Sequence, residues 1–118
     1  MQRGKAFEEY WDLLKEVLRE HVEVDRVQYT RHAEDRMAER DIPKKVVQTI
    51  LKTKRPVEMY EPHAYPHGER PYTNAHPVFT LVNDEVAVGL AMERQHGQKI
   101  HFVVLTVKST THTRFRSL

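Results

Sequence analysis

Residues 76–93 read HPVFTLVNDEVAVGLAME, and in this sequence two apolar runs flank a short polar turn. The runs at 76–82 and 85–93 are rich in valine and show the two-residue period of β-strands. Asn83-Asp84 lies between them, and both residue types favour tight turns. The stretch therefore predicts an antiparallel hairpin.

Two further strand-like runs lie on either side of this hairpin, PVEMYE at 56–61 and KIHFVVLTVK at 99–108. Residues 95–98, QHGQ, form a looser turn, so the last three strands are predicted to make an antiparallel meander. The segment HAYPHGERPY at 63–72 contains Pro and Gly and predicts a loop that is long enough to be functional.

The chain before the strands has helical periodicity. Apolar residues recur every three or four positions in 6–21, which predicts an amphipathic helix. A second helix is predicted over 31–40 with Thr30 as its N-cap, and a third over 43–53 with Pro43 in its first turn. This order predicts an α+β fold with two or three N-terminal helices packed on a four-stranded, mainly antiparallel sheet.

Length and composition limit the class of protein. The 118 residues fit a single domain, and 39% hydrophobic with 31% charged residues indicates a globular chain. Because there is no cysteine, disulfides, thiolate metal ligands and a cysteine nucleophile are excluded. The first residues lack the apolar core of a signal peptide, and no apolar run approaches the length of a membrane span. We therefore expect a cytoplasmic protein that has no membrane partner, although an effector domain cut from a longer secreted chain would show the same pattern.

Basic residues are concentrated near the C-terminus. No Asp or Glu follows Glu93, whereas five of the 19 Lys and Arg residues do, including Arg114 and Arg116 in the tail 111–118. A basic end on a more acidic body favours an anionic partner, and RNA or another nucleic acid fits best. A chance asymmetry of surface charge is the alternative.

The predicted second helix carries an unusual stripe of polar residues. His32, Arg36 and Arg40 are four residues apart, so they lie on one side of the helix beside Ala33 and Met37. If the Ala and Met side chains are buried, His32 and Arg36 stand at the boundary between core and solvent. An acid–base group and a phosphate-binding guanidinium would be placed at such a boundary.

A surface charge lattice is the other interpretation of this helix. Arg31 with Asp35, and Arg36 with Glu39, are spaced as helical ion pairs, each worth about a few tenths of a kcal/mol. A boundary histidine is also often a packed, hydrogen-bonded one. Spacing alone leaves both interpretations open.

The same residues carry a resemblance to a known family. The motif consists of His32-Ala33, Arg36-Met37, Glu39-Arg40, Asp41 and Ile42, followed by Val46, Val47 and Ile50. It resembles the bacterial family called domain of unknown function 4258. The resemblance covers about 29–110 and leaves the first helix, 6–21, and the tail, 111–118, outside it. Asp41 departs from the pattern, because glycine is usual at this position.

The resemblance implies a barnase/EndoU/colicin/RelE-like fold, with N-terminal helices on a four-stranded antiparallel sheet. Many members of that wide group are metal-independent ribonucleases, often toxins. The implied function is therefore a ribonuclease or toxin-like domain that acts on RNA without a cofactor. An antitoxin or immunity protein is the implied protein partner.

Cutting RNA without a metal requires a base for the ribose 2′-proton, an acid for the leaving oxygen and cations for the phosphorane. Imidazole titrates near neutral pH and guanidinium binds phosphate in a bidentate manner, so His32 and Arg36 are candidate catalytic residues. The resemblance points to the last strand for the rest of the site.

Strict alternation along that strand puts Thr106 and Lys108 together, on the face of Phe102 and Val104 and opposite His101. Thr106 and Lys108 are therefore the other candidate catalytic residues. The candidate nucleic-acid-binding residues are Arg40, His101, Arg114 and Arg116.

Two other functions remain open. A non-catalytic nucleic-acid-binding or protein-regulatory domain could use the first helix, with Phe7, Tyr10 and Trp11 facing a partner. A histidine-based metal hydrolase is the other. His63 and His67 are four apart, but the neighbouring prolines prevent a helix there, and we predict no metal site.

Overall fold

The computed structural model describes residues 5–67, 70–94 and 100–110, and its architecture is α+β. Periodicity predicted every helix and the four longer strands to within about two residues at each end. The elements are, in chain order, α1 (Lys5–Glu23), β1 (Gln28–Tyr29), α2 (Arg31–Glu39), α3 (Lys44–Thr53), β2 (Pro56–Tyr60), β3 (Val78–Val82), β4 (Val86–Arg94) and β5 (Ile100–Ser109).

The strands form one sheet in the order β1-β5-β4-β3-β2. The predicted meander of β3, β4 and β5 is confirmed, and the four longer strands pair antiparallel. The additional strand is β1, whose two residues pair parallel with Val103 and Val104 of β5. The Asn83 side chain stabilises the β3–β4 turn, because its amide oxygen accepts hydrogen bonds from the Glu85 and Val86 N–H groups. The predicted turn at 95–98 lies outside the described residues.

A β-bulge in β5 changes which residues share a face. Leu90 pairs with Val104 and Gly89 pairs with Thr106, so Leu105 is an extra residue between them. The alternation is therefore reversed after Val104. The prediction that Thr106 and Lys108 share a face with Phe102 and Val104 is wrong for this reason.

The helices cover one face of the sheet, and the main core lies between them. Trp11 of α1 is buried there and makes an edge-to-face contact with Phe79 of β3, with ring centroids 5.7 Å apart. Trp11 therefore packs on the domain itself rather than facing a partner. The side chains of Phe7 and Tyr10 lie outside the described part of the chain. Fully buried members of this core include Leu18, Val47, Ile50, Leu51, Phe79, Leu81, Phe102 and Val104.

The segment 61–77 connects β2 to β3, and its described residues, 61–67 and 70–77, cover part of the opposite face. A second, smaller apolar cluster lies there, built from Tyr60, Tyr65, Val78, Ala91 and Val103. Within the ranges given above, no helix is both long and apolar enough to cross a membrane.

The end of α2 shows how Asp41 replaces the expected glycine. Asp41 has φ 52°, in the left-handed region. The Ile42 N–H donates to the Met37 carbonyl at 2.9 Å, and the Asp41 N–H donates to the Ala38 carbonyl at 3.4 Å, which is a Schellman arrangement. Asp41 therefore keeps the turn that brings α3 back onto the sheet.

Candidate functional site

A cleft of about 380 Å³ lies where the N-terminus of α2 meets the 61–77 segment and β5. Ionisable side chains make up much of its lining, and they come from three separate parts of the chain. We refer to it as the histidine cleft. Its histidine and charged lining residues are His32, His67, Arg70, His76 and Glu93.

Thr30 fixes the position of His32. Its hydroxyl accepts a hydrogen bond from the Ala33 N–H at 3.1 Å, which confirms the predicted N-cap. The same hydroxyl donates to the Leu105 carbonyl of β5 at 3.0 Å. One side chain thus holds the first turn of α2 against the bulge in β5. His32, in that first turn, is half-buried beside Leu105, whereas Ala33 is fully buried beneath the helix, as predicted.

Hydrogen bonds and ring contacts position the 61–77 segment. The His63 N–H donates to the Asn74 carbonyl at 2.7 Å, and the Tyr72 N–H donates to the Tyr65 carbonyl at 2.8 Å, so the segment folds back on itself. The Tyr65 ring is buried and makes edge-to-face contacts with Tyr60 and His67, with ring centroids 5.1 and 5.4 Å apart. These contacts hold the His67 imidazole at the histidine cleft.

Thr106 and Lys108 line a small cavity next to the histidine cleft. Tyr65 and His67 line both the cleft and the cavity, so the two spaces share part of their lining. Thr106 is buried and Lys108 is half-buried. The structure therefore brings three of the four predicted catalytic residues, His32, Thr106 and Lys108, to one side of the molecule.

Arg36 is not among the residues that line the histidine cleft. Its guanidinium donates to the Glu39 carboxylate at 2.7 Å, and the Arg36 and Glu39 side chains are 41% and 56% exposed. We expected the His32 and Arg36 side chains to face the same groove, and this expectation is therefore wrong for Arg36. The physical reason is the carboxylate three residues away on the same helix, which pairs with the guanidinium as the charge-lattice interpretation predicted.

The predicted nucleic-acid-binding residues are spread over the molecule. His101 pairs with Glu93 across β4 and β5, so it lies on the cleft side of the sheet near one end of the cleft. Arg40 lines a different, larger cavity of about 540 Å³ between the α2–α3 turn and the end of the sheet where β4 begins and β5 ends. Arg114 and Arg116 lie outside the described residues.

From the sequence, His67 and His76 were considered only as members of a histidine-bearing loop that could touch a substrate, and Arg70 and Glu93 were given no role. The Pro- and Gly-containing segment was predicted to be a functional loop, but no local pattern shows that His67, Arg70 and His76 meet His32. Among the residues that the structure describes, no three His, Asp or Glu side chains are grouped closely enough to hold a metal ion.

Comparison with known proteins found no matching family model, no similar curated protein and no similar solved structure. The likeness to the family named above therefore stays a prediction that depends on the motif in α2.

Proposed function

We propose that this domain is a metal-independent endoribonuclease of the toxin-like kind, and that the histidine cleft is its active site. The observation that carries the proposal is that His32 and His67, from distant parts of the chain, line the same cleft. Two imidazoles in one cleft can supply both proton transfers of RNA cleavage, because imidazole is the side chain best suited to accept and donate protons at physiological pH.

The proposed reaction is an internal transphosphorylation. One imidazole removes the proton from the ribose 2′-hydroxyl, and the 2′-oxygen forms a bond to the adjacent phosphorus. The bond from phosphorus to the 5′-oxygen of the next nucleotide breaks, and the second imidazole, in its protonated form, donates a proton to that oxygen. The products are a 2′,3′-cyclic phosphate and a free 5′-hydroxyl.

Cationic side chains near the imidazoles support the choice of a phosphodiester substrate. Arg70 lines the histidine cleft, and Lys108 lines the adjoining cavity. A guanidinium and an ammonium stabilise the charge that develops on the phosphorane oxygens. A cytoplasmic site of action and an antitoxin or immunity partner belong to the same proposal.

The test is cleavage of a labelled single-stranded RNA by the purified protein in EDTA. Wild type should cleave, and His32→Ala and His67→Ala should each slow cleavage by about 100-fold or more, because each removes one proton-transfer group. His63→Asn is the matched control. It removes an exposed imidazole from the same segment that does not line the cleft, and Asn tolerates the left-handed φ of 66° at this position.

Two outcomes would contradict the proposal. If wild type binds RNA with steep salt dependence but never cleaves it, the domain is a non-catalytic binder. If His32→Ala cleaves as fast as wild type and as fast as His63→Asn, the histidine cleft is not the active site.

A further inference from the structure

A row of polar residues crosses the sheet beneath the 61–77 segment. The strand register aligns Glu58 of β2, Thr80 of β3, Gly89 of β4 and Thr106 of β5 side by side. The Glu58, Thr80 and Thr106 residues are only 5%, 4% and 2% exposed. Since neighbouring strands lie about 4.8 Å apart, the two threonines flank Gly89 at a separation of about 10 Å. We call these four residues the polar row.

The two threonine hydroxyls of the polar row make no hydrogen bond within the described part of the chain. A buried hydroxyl without a partner destabilises a fold, and valine has almost the same shape without that cost. Two such hydroxyls on one face, on either side of a glycine, are therefore not explained by packing. They are explained if a polar ligand bonds to them.

The phenol of Tyr65 occupies the place that such a ligand would take. A Cβ atom on Gly89 would lie 2.3 Å from the Tyr65 hydroxyl oxygen and 3.0 Å from the Thr106 methyl group. Glycine is thus required here for the phenol to lie against the sheet. The remaining cavity is about 10 Å³, which is room for about one water molecule at most. A larger ligand would enter only after Tyr65 moves aside.

The segment that carries Tyr65 contains two residues with strained backbone. His63 has φ 66° and Tyr72 has φ 65°, and a bulky side chain such as that of Tyr72 rarely adopts this region. Tyr72 is also 60% exposed, so packing contributes little to holding it in place. A change in the conformation of the segment would release this strain. The same change would move the Tyr65 side chain away from the polar row.

We propose that Thr80, Gly89 and Thr106, together with Lys108, form a phosphate-binding subsite that opens when Tyr65 is displaced. Lys108 and His67 line the cavity above the row, so its walls are rich in hydrogen-bond donors. The Glu58 carboxylate lies at the far end, where it accepts a hydrogen bond from the Tyr60 hydroxyl at 3.0 Å. The phosphate therefore belongs over Gly89, between Thr80 and Thr106, and not beside that carboxylate. This inference rests on the proposed function, because the phosphate is that of the RNA backbone.

The test uses inorganic phosphate as the probe and the Thr80→Val and Thr106→Val variants. Without phosphate, each variant should melt about 3–5 °C above wild type, because an unsatisfied hydroxyl is removed. Each should bind phosphate about tenfold more weakly in calorimetric titration, which corresponds to the loss of one hydrogen bond to a charged group. Thr49→Val, at an exposed position of α3, is the matched control and should bind phosphate as wild type does.

Tyr65→Phe tests the displacement step. Removing the phenol oxygen from the polar row should tighten phosphate binding, since less has to be displaced. Weaker binding by Tyr65→Phe would show instead that the phenol itself contacts phosphate, and it would overturn the displacement step.

The proposed phosphate subsite and the proposed ribonuclease function can be disproved independently. If the protein cleaves RNA but both valine variants bind phosphate as tightly as wild type, the subsite is wrong and the proposed function stands. If phosphate binds and the valine variants weaken it, but no RNA is cleaved, the anion subsite stands and the proposed function fails. If only Arg70→Ala weakens phosphate binding, the anion lies in the histidine cleft and the polar row is not its site.

Discussion

The turn between α2 and α3 requires a left-handed backbone conformation at one residue, Asp41. At φ 52° an L-residue crowds its own backbone, and glycine avoids this cost. A carboxylate at a helix C-terminus also meets the negative end of the helix dipole. Both effects act in the same direction, so Asp41 stabilises the turn less well than glycine would.

Asp41→Gly is therefore expected to raise the free energy of unfolding by about 0.5–1 kcal/mol, measured by urea denaturation. Asp41→Val should lower it, because a β-branched residue fits this backbone region poorly. Asp41 is exposed and does not line the histidine cleft, so any catalytic activity should be unchanged. A loss of stability in Asp41→Gly would show that the carboxylate makes a favourable interaction that outweighs the backbone cost.

Tyr29 is a second residue whose local environment has a measurable effect. Its hydroxyl is buried and has no hydrogen-bond partner among the described residues. Burial, together with the nearby Asp25 carboxylate, raises the pKa of Tyr29 from 10.0 to about 12. The unfolded chain therefore loses this proton at lower pH than the folded chain, so this contribution to stability is complete below pH 10 and is lost as the pH rises through 12.

Tyr29→Phe should raise the free energy of unfolding at pH 7 by about 1 kcal/mol, because the unpaired hydroxyl is removed. It should also weaken the fall in stability between pH 10 and 12 that wild type shows. Thermal unfolding measured at pH 7 and between pH 10 and 12 checks both predictions. Tyr72→Phe, at an exposed position, is the control. If wild type and Tyr29→Phe lose stability in parallel above pH 10, the raised pKa of Tyr29 is not the cause of the loss.

At the level of elements, α2 and β5 depend on one hydroxyl. Thr30 caps the helix through the Ala33 N–H and also donates to the Leu105 carbonyl in the β5 bulge. The adjacent backbone adds a third bond, from the Thr30 N–H to the Val104 carbonyl at 3.0 Å. The position of His32 relative to β5 follows from this junction.

Thr30→Val keeps the shape of the side chain and removes both hydroxyl bonds, so the free energy of unfolding should fall by about 1.5–3 kcal/mol. Thr30→Ser keeps the hydroxyl and should stay closer to wild type. Chemical denaturation of both variants measures the difference. If Val and Ser destabilise equally, the methyl group rather than the hydroxyl holds this junction.

At the scale of the whole molecule, the sheet has two differently covered faces. Helices cover one face and form the main core, whereas the 61–77 segment covers part of the other and encloses the polar row. A helix-covered face is fixed by many apolar contacts. A face covered by a non-repetitive segment with strained residues can open more easily, and the candidate site lies on that face.

The sequence predicted the helices, the meander and the α+β class because these depend on periodic patterns of apolar residues. It did not predict the Leu105 bulge, since a bulge adds one residue to a strand without changing its composition. It predicted that His32 faces a cleft, but not that His67 and Arg70 meet it there. The positions of His67 and Arg70 depend on how the 61–77 segment packs against distant parts of the chain, and this segment has no periodic pattern of apolar residues.

End-group analysis of RNA treated with the purified protein in EDTA tests the proposed cleavage chemistry. Transphosphorylation in the histidine cleft predicts 2′,3′-cyclic phosphate and 5′-hydroxyl ends from wild type. It also predicts little product from His32→Ala or His67→Ala, and none from a 2′-O-methyl substrate. Intact RNA after wild-type treatment, or cleavage of the 2′-O-methyl substrate, would contradict it.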